Sequence, residues 1–197
     1  QAYEVCAGGS RVNVIKAPTL PGFRIDLKKI QEIYFKEKDS KKIRMIFIPN
    51  PNNPTGSYLT SSEVKNFIEE MRKEKDLFIV FDEAYNEFVR AKDYESFMTK
   101  VDNQCQFAVI RTFSKSLGLA GLRLGTLIAP TEVIEIYNRI RKPFNVNAVA
   151  QVAAIAALDD LDFLKQTQEV TWAGLDYWYK ELDRLGGATS RSLWQRF

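Results

Sequence analysis

The chain of 197 residues contains no histidine and only two cysteines, Cys6 and Cys105. Without histidine, Ser-His-Asp catalysis, Cys-His catalysis and histidine-ligated zinc are all excluded. Two cysteines form no disulfide framework and lack metal-ligand spacing, so we expect reduced thiols, as in the cytoplasm. No apolar run approaches the roughly 18 residues that a membrane span requires, and we expect no membrane partner.

The chain also lacks a strong charge of either sign. Its 28 basic and 25 acidic residues leave a net charge of +3, and they are spread along the sequence. A nucleic-acid interface usually needs a denser basic patch, so we expect no nucleic-acid partner. The sequence begins without Met and shows no signal peptide. We expect a fragment or processed chain with pieces missing at both ends.

What is present is an alternation of strands and helices. Three apolar runs, Arg44–Ile48, Leu77–Phe81 and Phe107–Ile110, lie about 30 residues apart with helical patterns between them. This spacing is typical of βαβ units and predicts an α/β fold with a parallel sheet. A short strand at Arg11–Ile15 and a returning strand at Arg123–Ala129 are also predicted.

Helix signals occupy most of the remaining sequence. Asp26 is a predicted N-cap, and Thr60 with Glu63 forms a predicted capping box. The predicted helices span residues 26–36, 60–73, 94–100, 131–140, 148–158 and 161–185.

Polar side chains follow each of the three apolar runs at its carboxyl end. Ligands bind beyond the carboxyl ends of strands in open parallel sheets, where these groups converge. The groups are Asn52 and Asn53 after the first run, Asp82 and Tyr85 after the second, and Thr112, Ser114 and Lys115 after the third.

Lys115 is the candidate nucleophile, within the segment from Val109 to Gly125. A lysine amine attacks a carbonyl only when it is deprotonated, which requires burial or a nearby cation such as Arg123. Two hydroxyls, of Thr112 and Ser114, together with Arg123, are suited to a phosphate dianion. An ordinary surface lysine is the alternative interpretation.

Three further residues indicate a pyridine ring beside that phosphate. Asp82 ends an apolar strand, where a buried carboxylate needs a partner such as a pyridinium nitrogen; a salt bridge or helix cap is the alternative. Tyr85 and Asn53 could bind a ring oxygen, or could be a core tyrosine and a turn residue. Together with Lys115 they predict a pyridoxal phosphate (PLP) site.

The assembled motifs resemble those of fold-type I PLP-dependent aminotransferases (class I/II), most of all the histidinol-phosphate aminotransferase group. The motifs are N-N-P-T-G, D-E-A-Y-N-E-F, R-T-F-S-K-S-L-G-L-A-G-L-R-L-G and R-K-P-F-N-V-N. The resemblance covers Ala2–Leu158, and the tail from Gly186 to Phe197 departs from it. It implies a three-layer large domain with a mainly parallel sheet and helices on both faces. Residues 1–158 would form that domain, without its N-terminal part, and residues 159–197 a long helix and the start of a small domain.

The resemblance also implies a role for each site residue. Lys115 would be the catalytic Schiff-base lysine and Asp82 the partner of the pyridine nitrogen. Tyr3 would lie near the cofactor ring. The other cofactor-binding residues would be Asn53 and Tyr85 at the ring oxygen, and Thr112, Ser114 and Arg123 at the phosphate.

The implied activity is transfer of an amino group between a small-molecule donor, such as L-histidinol phosphate, and a 2-oxo acid, 2-oxoglutarate. Members of the group are homodimers, and the implied setting is histidine biosynthesis in the cytoplasm. The family's upstream phosphate-binding turn and downstream carboxylate-binding arginine are not found in this sequence. The alternatives are a threonine-phosphate decarboxylase-like enzyme, an aromatic amino-acid aminotransferase, or a catalytically incomplete fragment that only binds PLP.

Overall fold

The computed structural model describes residues 2–186, in which one four-stranded sheet is flanked by helices. The strands are β1 (Met45–Pro49), β2 (Phe78–Asp82), β3 (Phe107–Thr112) and β4 (Gly125–Ile128). The helices are α1 (Ala2–Gly9), α2 (Leu27–Lys41), α3 (Ser61–Met71), α4 (Thr131–Ile140), α5 (Ala148–Asp159) and α6 (Leu161–Arg184). Short 3-10 helices lie at Pro21–Phe23, Asn86–Phe88, Met98–Lys100 and Ala120–Leu122.

The sheet has the strand order β1-β2-β3-β4. The first three strands are parallel, as predicted, and β4 returns antiparallel to β3. The carboxyl ends of β1, β2 and β3 therefore meet at one edge of the sheet, because their register places Pro49 beside Asp82 and Asp82 beside Ile110.

One face of the sheet forms the hydrophobic core. Ile79, Phe81 and Val109 on this face pack with the buried side of α3, including Phe67, and with Tyr34 of α2. Side chains alternate along a strand, so Asp82 and Val80, two residues apart on β2, lie on the opposite face. Phe47 of β1 pairs with Val80 and lies on that face too. Asp82 therefore lies on the face turned away from this core.

Both predicted caps are present. The Asp26 carboxylate accepts the Lys29 backbone N–H, and Thr60 forms a capping box with Glu63. The predicted segment at 94–100 is reduced to the 3-10 helix at Met98–Lys100.

The predicted strand at Arg11–Ile15 is wrong, since this segment is a turn followed by loop in the structure. Its apolar side chains Val12, Val14 and Ile15 are exposed. Alternation alone does not form a strand without a neighbouring strand and a buried face.

Helix α1 was not predicted. The predicted domain division after residue 158 stays a prediction, and the tail beyond Gly186 lies outside the described residues.

Candidate active site

Asp82 is the last residue of β2 and is held at both carboxylate oxygens. The Ala84 backbone N–H donates to Oδ1 at 3.1 Å, and the Tyr3 hydroxyl donates to Oδ2 at 2.5 Å. One donor follows the strand directly, while the other comes from α1, which is distant in sequence. The carboxylate is half-buried at the strand end, less enclosed than the buried carboxylate that the sequence predicts.

Tyr3 reaches Asp82 across the face of β1. Its ring stacks on Phe47, with ring centroids 5.2 Å apart and an interplanar angle of 26°. Burial, and secondarily the hydrogen bond to Asp82, raise the pKa of the Tyr3 phenol above its ordinary value. The phenol therefore remains protonated and acts as the donor toward the carboxylate.

Asn53, Tyr85 and Lys115 come from three different strand ends and meet. The Asn53 side-chain amide donates to the Tyr85 hydroxyl at 2.6 Å. The Lys115 Nζ lies 5.3 Å from the centroid of the Tyr85 ring. An amide, a phenol and an amine thus lie together beyond the sheet edge, as the parallel topology predicts.

The loop that carries Asn53 is held in place by Asn50, a residue that sequence analysis did not single out. Asn50 is only 3% exposed, and its Oδ1 accepts the Leu59 backbone N–H at 2.8 Å. The Asn52 N–H donates to the Ser57 carbonyl within the same loop, at 2.8 Å. The available signal was the position of Asn50 directly after a buried strand, which also led to Asn53.

The structure joins two of the three candidate phosphate-binding residues. The Ser114 backbone N–H donates to Thr112 Oγ1 at 3.1 Å, and that hydroxyl lies 3.4 Å from the Leu124 carbonyl, to which it donates. Arg123 adopts the left-handed backbone conformation, with φ of 57°, and is exposed. Its guanidinium donates to the Ala120 carbonyl at 2.8 Å. Arg123 precedes Leu124, whose carbonyl accepts the Thr112 hydroxyl. The Arg123 side chain nevertheless points toward Ala120 and not toward Thr112 or Ser114.

A second carboxylate, Glu83, also escaped sequence analysis. It follows Asp82 but is turned into the interior and is 2% exposed. Its oxygens accept the Phe97 backbone N–H at 2.8 Å and the Ser96 hydroxyl at 2.5 Å. Side-chain alternation at the strand end was the signal, since Asp82 and Glu83 must face opposite sides.

A buried hydroxyl lies directly after the candidate nucleophile. Ser116 is fully buried, and its Oγ has no hydrogen-bond partner among residues 2–186. The segment around it is folded by backbone bonds, because the Gly118 N–H donates to the Lys115 carbonyl at 3.0 Å. Within that described range, no group of three or more cysteine and carboxylate side chains is arranged to hold a metal ion.

This arrangement can hold an aromatic ring and a phosphate. Asp82 offers an anionic acceptor, Asn53 and Tyr85 offer neutral donors, and Lys115 offers an amine. The Thr112 hydroxyl and the Ser114 backbone N–H donate to the Leu124 carbonyl and to Thr112 Oγ1, and they could serve an anion only by leaving these partners. No helix in the described part of the chain has the length and apolar content to cross a membrane.

Comparison with known proteins gives consistent matches. Histidinol-phosphate aminotransferase of Bdellovibrio bacteriovorus is 53% identical over 185 residues, which are 94% of this chain and 50% of that protein. Histidinol-phosphate aminotransferase 2 of Carboxydothermus hydrogenoformans is 41% identical over 83% of this chain and 43% of its own length. The chain spans about half the length of the curated relatives it matches.

Solved structures share the fold. Histidinol-phosphate aminotransferase from Sinorhizobium meliloti, in complex with pyridoxal-5'-phosphate, superposes with a TM-score of 0.77 at 26% identity. The superposition covers 87% of this chain and 44% of that one. The predicted α/β architecture of a fold-type I large domain is confirmed.

The sequence profile of aminotransferase class I and II matches residues 1–192. This match extends well past Leu158, and the prediction that the tail departs from the family at Gly186 is wrong as far as residue 192. The chain belongs to the aminotransferase class I and II family.

Proposed function

We propose that this chain carries the PLP-binding part of an aminotransferase that moves an amino group between L-histidinol phosphate, or a similar amino compound, and 2-oxoglutarate. The observation that carries the proposal is the meeting of the Lys115 amine, the Tyr85 ring and the Asn53 amide beside the strand end that bears Asp82. The names of the relatives support the substrate.

The donor set fits PLP, because each part of that molecule has a chemically matched residue. PLP supplies a reactive aldehyde carbon and an electron-withdrawing pyridine ring. Asp82 would hold the ring nitrogen, and Asn53 with Tyr85 would hold the ring oxygen. The phosphate would be held by Thr112, Ser114 and Arg123, which requires the Arg123 side chain to leave the Ala120 carbonyl.

Lys115 has two tasks in this proposal. Its amine would be the group that holds the cofactor at the aldehyde carbon, and it would move a proton at the substrate α-carbon as general base and acid. The Lys115 side chain is exposed, so the burial expected for this amine is not found, and its Nζ lies over the face of the Tyr85 ring.

The assembly is proposed to be a cytoplasmic homodimer. Helix α5 supports the dimer, because Val149, Val152, Ile155 and Leu158 are each 60% or more exposed. An apolar patch of this kind commonly marks an interface. Sedimentation of the purified protein at two concentrations tests the dimer, and a single monomer mass at both would contradict it. Cell fractionation tests the compartment.

The attachment site is tested with added PLP, borohydride reduction and peptide mass spectrometry. We expect the cofactor mass on the peptide containing Lys115, and its complete loss in Lys115→Ala. Lys142→Ala, a substitution in the exposed loop after α4, should keep the label. A chain that binds no PLP, or labelling that survives in Lys115→Ala, contradicts the proposal.

The substrate is tested by glutamate formation with 2-oxoglutarate as acceptor. We expect kcat/KM to be highest for histidinol phosphate among histidinol phosphate, aromatic amino acids and threonine phosphate. A preference for an aromatic amino acid, or CO₂ release from threonine phosphate, would point to the alternative enzymes. PLP binding without any turnover would identify a fragment that binds the cofactor only.

A further inference from the structure

The carboxylate of Asp82 is oriented by two donors that arrive from different directions. The Ala84 N–H holds Oδ1 at 3.1 Å and the Tyr3 hydroxyl holds Oδ2 at 2.5 Å. A carboxylate bonded at one oxygen can still rotate about its terminal bond, whereas bonds at both oxygens fix its plane. The direction in which Asp82 presents its free lone pairs therefore depends on Tyr3.

Tyr3 is itself held in a defined position. Its ring lies on Phe47, with centroids 5.2 Å apart, and Phe47 pairs with Val80 in the sheet. Val80 is two residues before Asp82 on the same face of β2. Phe47 and Asp82 thus lie on the same face of the sheet. Packing on Phe47 therefore fixes where the Tyr3 hydroxyl lies relative to the Asp82 carboxylate.

We propose that Tyr3 is a positioning residue that acts through Asp82, aiming the carboxylate at the pyridine nitrogen, and does not stack on the cofactor ring. This inference rests on the proposed function. It gives the expectation that Tyr3 lies near the cofactor ring a different role, because the Tyr3 ring already uses one face on Phe47 and its hydroxyl on Asp82.

A neutral donor suits this task. A carboxylate that pairs with a pyridinium nitrogen must stay ionised, and hydrogen bonds to the ionised form stabilise it. A lysine or arginine in place of Tyr3 would neutralise Asp82 and compete with the ring for its charge. A protonated phenol orients the carboxylate while leaving its net charge available to the cofactor.

The test uses Tyr3→Phe, which retains the ring on Phe47 and removes only the hydroxyl. We expect the dissociation constant for PLP to rise by about tenfold or more, as for loss of a hydrogen bond to a charged group. We also expect the visible circular dichroism per bound cofactor to fall, because the ring is held less rigidly. Tyr177→Phe, an exposed tyrosine on α6, is the matched control and should change neither quantity.

A double substitution separates action through Asp82 from direct contact. In an Asp82→Asn background, Tyr3→Phe should change the PLP dissociation constant less than about twofold, because the carboxylate it positions is gone. An equal loss in both backgrounds would indicate direct contact with the cofactor and would overturn the inference.

The outcomes distinguish this inference from the proposed function. If the chain binds PLP equally well with and without the Tyr3 hydroxyl, the inference fails and the proposed function stands. If the unsubstituted chain binds no PLP, the proposed function fails and the inference fails with it.

Discussion

Glu83 is a buried ionisable residue that anchors a neighbouring segment of the chain, residues 96–97, through hydrogen bonds. Its carboxylate accepts the Phe97 backbone N–H and the Ser96 hydroxyl, which fastens the segment before β3 to the end of β2. Burial raises the pKa of Glu83, and these hydrogen bonds and the nearby Arg111 charge oppose that rise. Because Glu83 immediately precedes the turn to Tyr85, it supports the backbone on which Asp82 and Tyr85 are presented.

Glu83→Gln and Glu83→Ala should therefore differ strongly in stability. Glutamine keeps an acceptor for the Phe97 N–H and can donate to Ser96, whereas alanine leaves the buried N–H unpaired, at a cost of about 1–3 kcal/mol. Urea unfolding of both variants measures the difference. Equal free energies of unfolding would show that Phe97 finds another acceptor.

The same pair of proteins gives a pH dependence. A carboxyl whose folded pKa lies above its ordinary value of 4.5 holds more protons in the folded than in the unfolded state, so its contribution to stability increases as the pH falls toward that value. We expect the wild type to gain stability relative to Glu83→Gln as the pH is lowered from 7 toward 4.5. The comparison cancels the other carboxyls, and a constant difference would contradict the raised pKa.

Among the elements, β4 connects the phosphate side of the site to the sheet. Its first residue, Gly125, pairs with Thr112, and the preceding Leu124 carbonyl accepts the Thr112 hydroxyl. A Cβ built on Gly125 would lie 2.8 Å from the Arg111 carbonyl oxygen, which belongs to the backbone of β3 and cannot turn away. The close pairing of β3 and β4 at this point requires glycine.

Gly125→Ala should accordingly force the two strands apart and destabilise the protein by about 1–3 kcal/mol. Gly121→Ala, four residues earlier, is the matched control, since nothing lies within 4 Å of a Cβ at that position. Its effect should stay within about 0.5 kcal/mol. Thermal unfolding of both variants measures this, and similar melting temperatures would contradict the steric argument.

The elements also show how far sequence can predict this molecule. Strands β1 to β3 and the caps at Asp26 and Thr60 were predictable, because buried apolar runs and cap residues act locally. Helix α1 was not, since its Gly8–Gly9 end has low helix propensity and its position depends on the distant contact between Tyr3 and Asp82.

The sequence predicts which residues of the candidate site come together, but not the hydrogen bonds that they form. Parallel strands bring their carboxyl ends together whatever their side chains, so Asn53, Tyr85 and Lys115 could be expected to meet. Which donor meets which acceptor depends on rotamers and local backbone. The left-handed conformation of Arg123, which accompanies its bond to Ala120, has no sequence signal of the glycine kind.

At the scale of the whole molecule, the main hydrophobic core and Asp82 lie on opposite faces of the sheet, although Val80 and Ala108 on the face of Asp82 are also buried. The core face, with α2 and α3, contains the largest group of buried apolar side chains, and the opposite face presents Asp82 and Phe47. Substitutions in the site are therefore expected to change binding more than folding, while the core and its polar edge determine stability. Tyr34 of α2 belongs to that edge, and its hydroxyl donates to Glu74 at 3.1 Å.

The buried phenol of Tyr34 is expected to make the stability of the protein depend on pH in the alkaline range. Burial, and then the hydrogen bond to Glu74, raise the pKa of Tyr34 from 10.0 to about 12. Above pH 10 the unfolded chain loses this proton while the folded chain retains it, so stability must fall as the pH rises toward 12, by up to about 1.4 kcal/mol per pH unit for one phenol. Urea unfolding at pH 9, 10 and 11 should show a shallower decline in Tyr34→Phe than in the wild type. The exposed Tyr177→Phe should follow the wild type, and parallel declines in all three proteins would contradict the raised pKa.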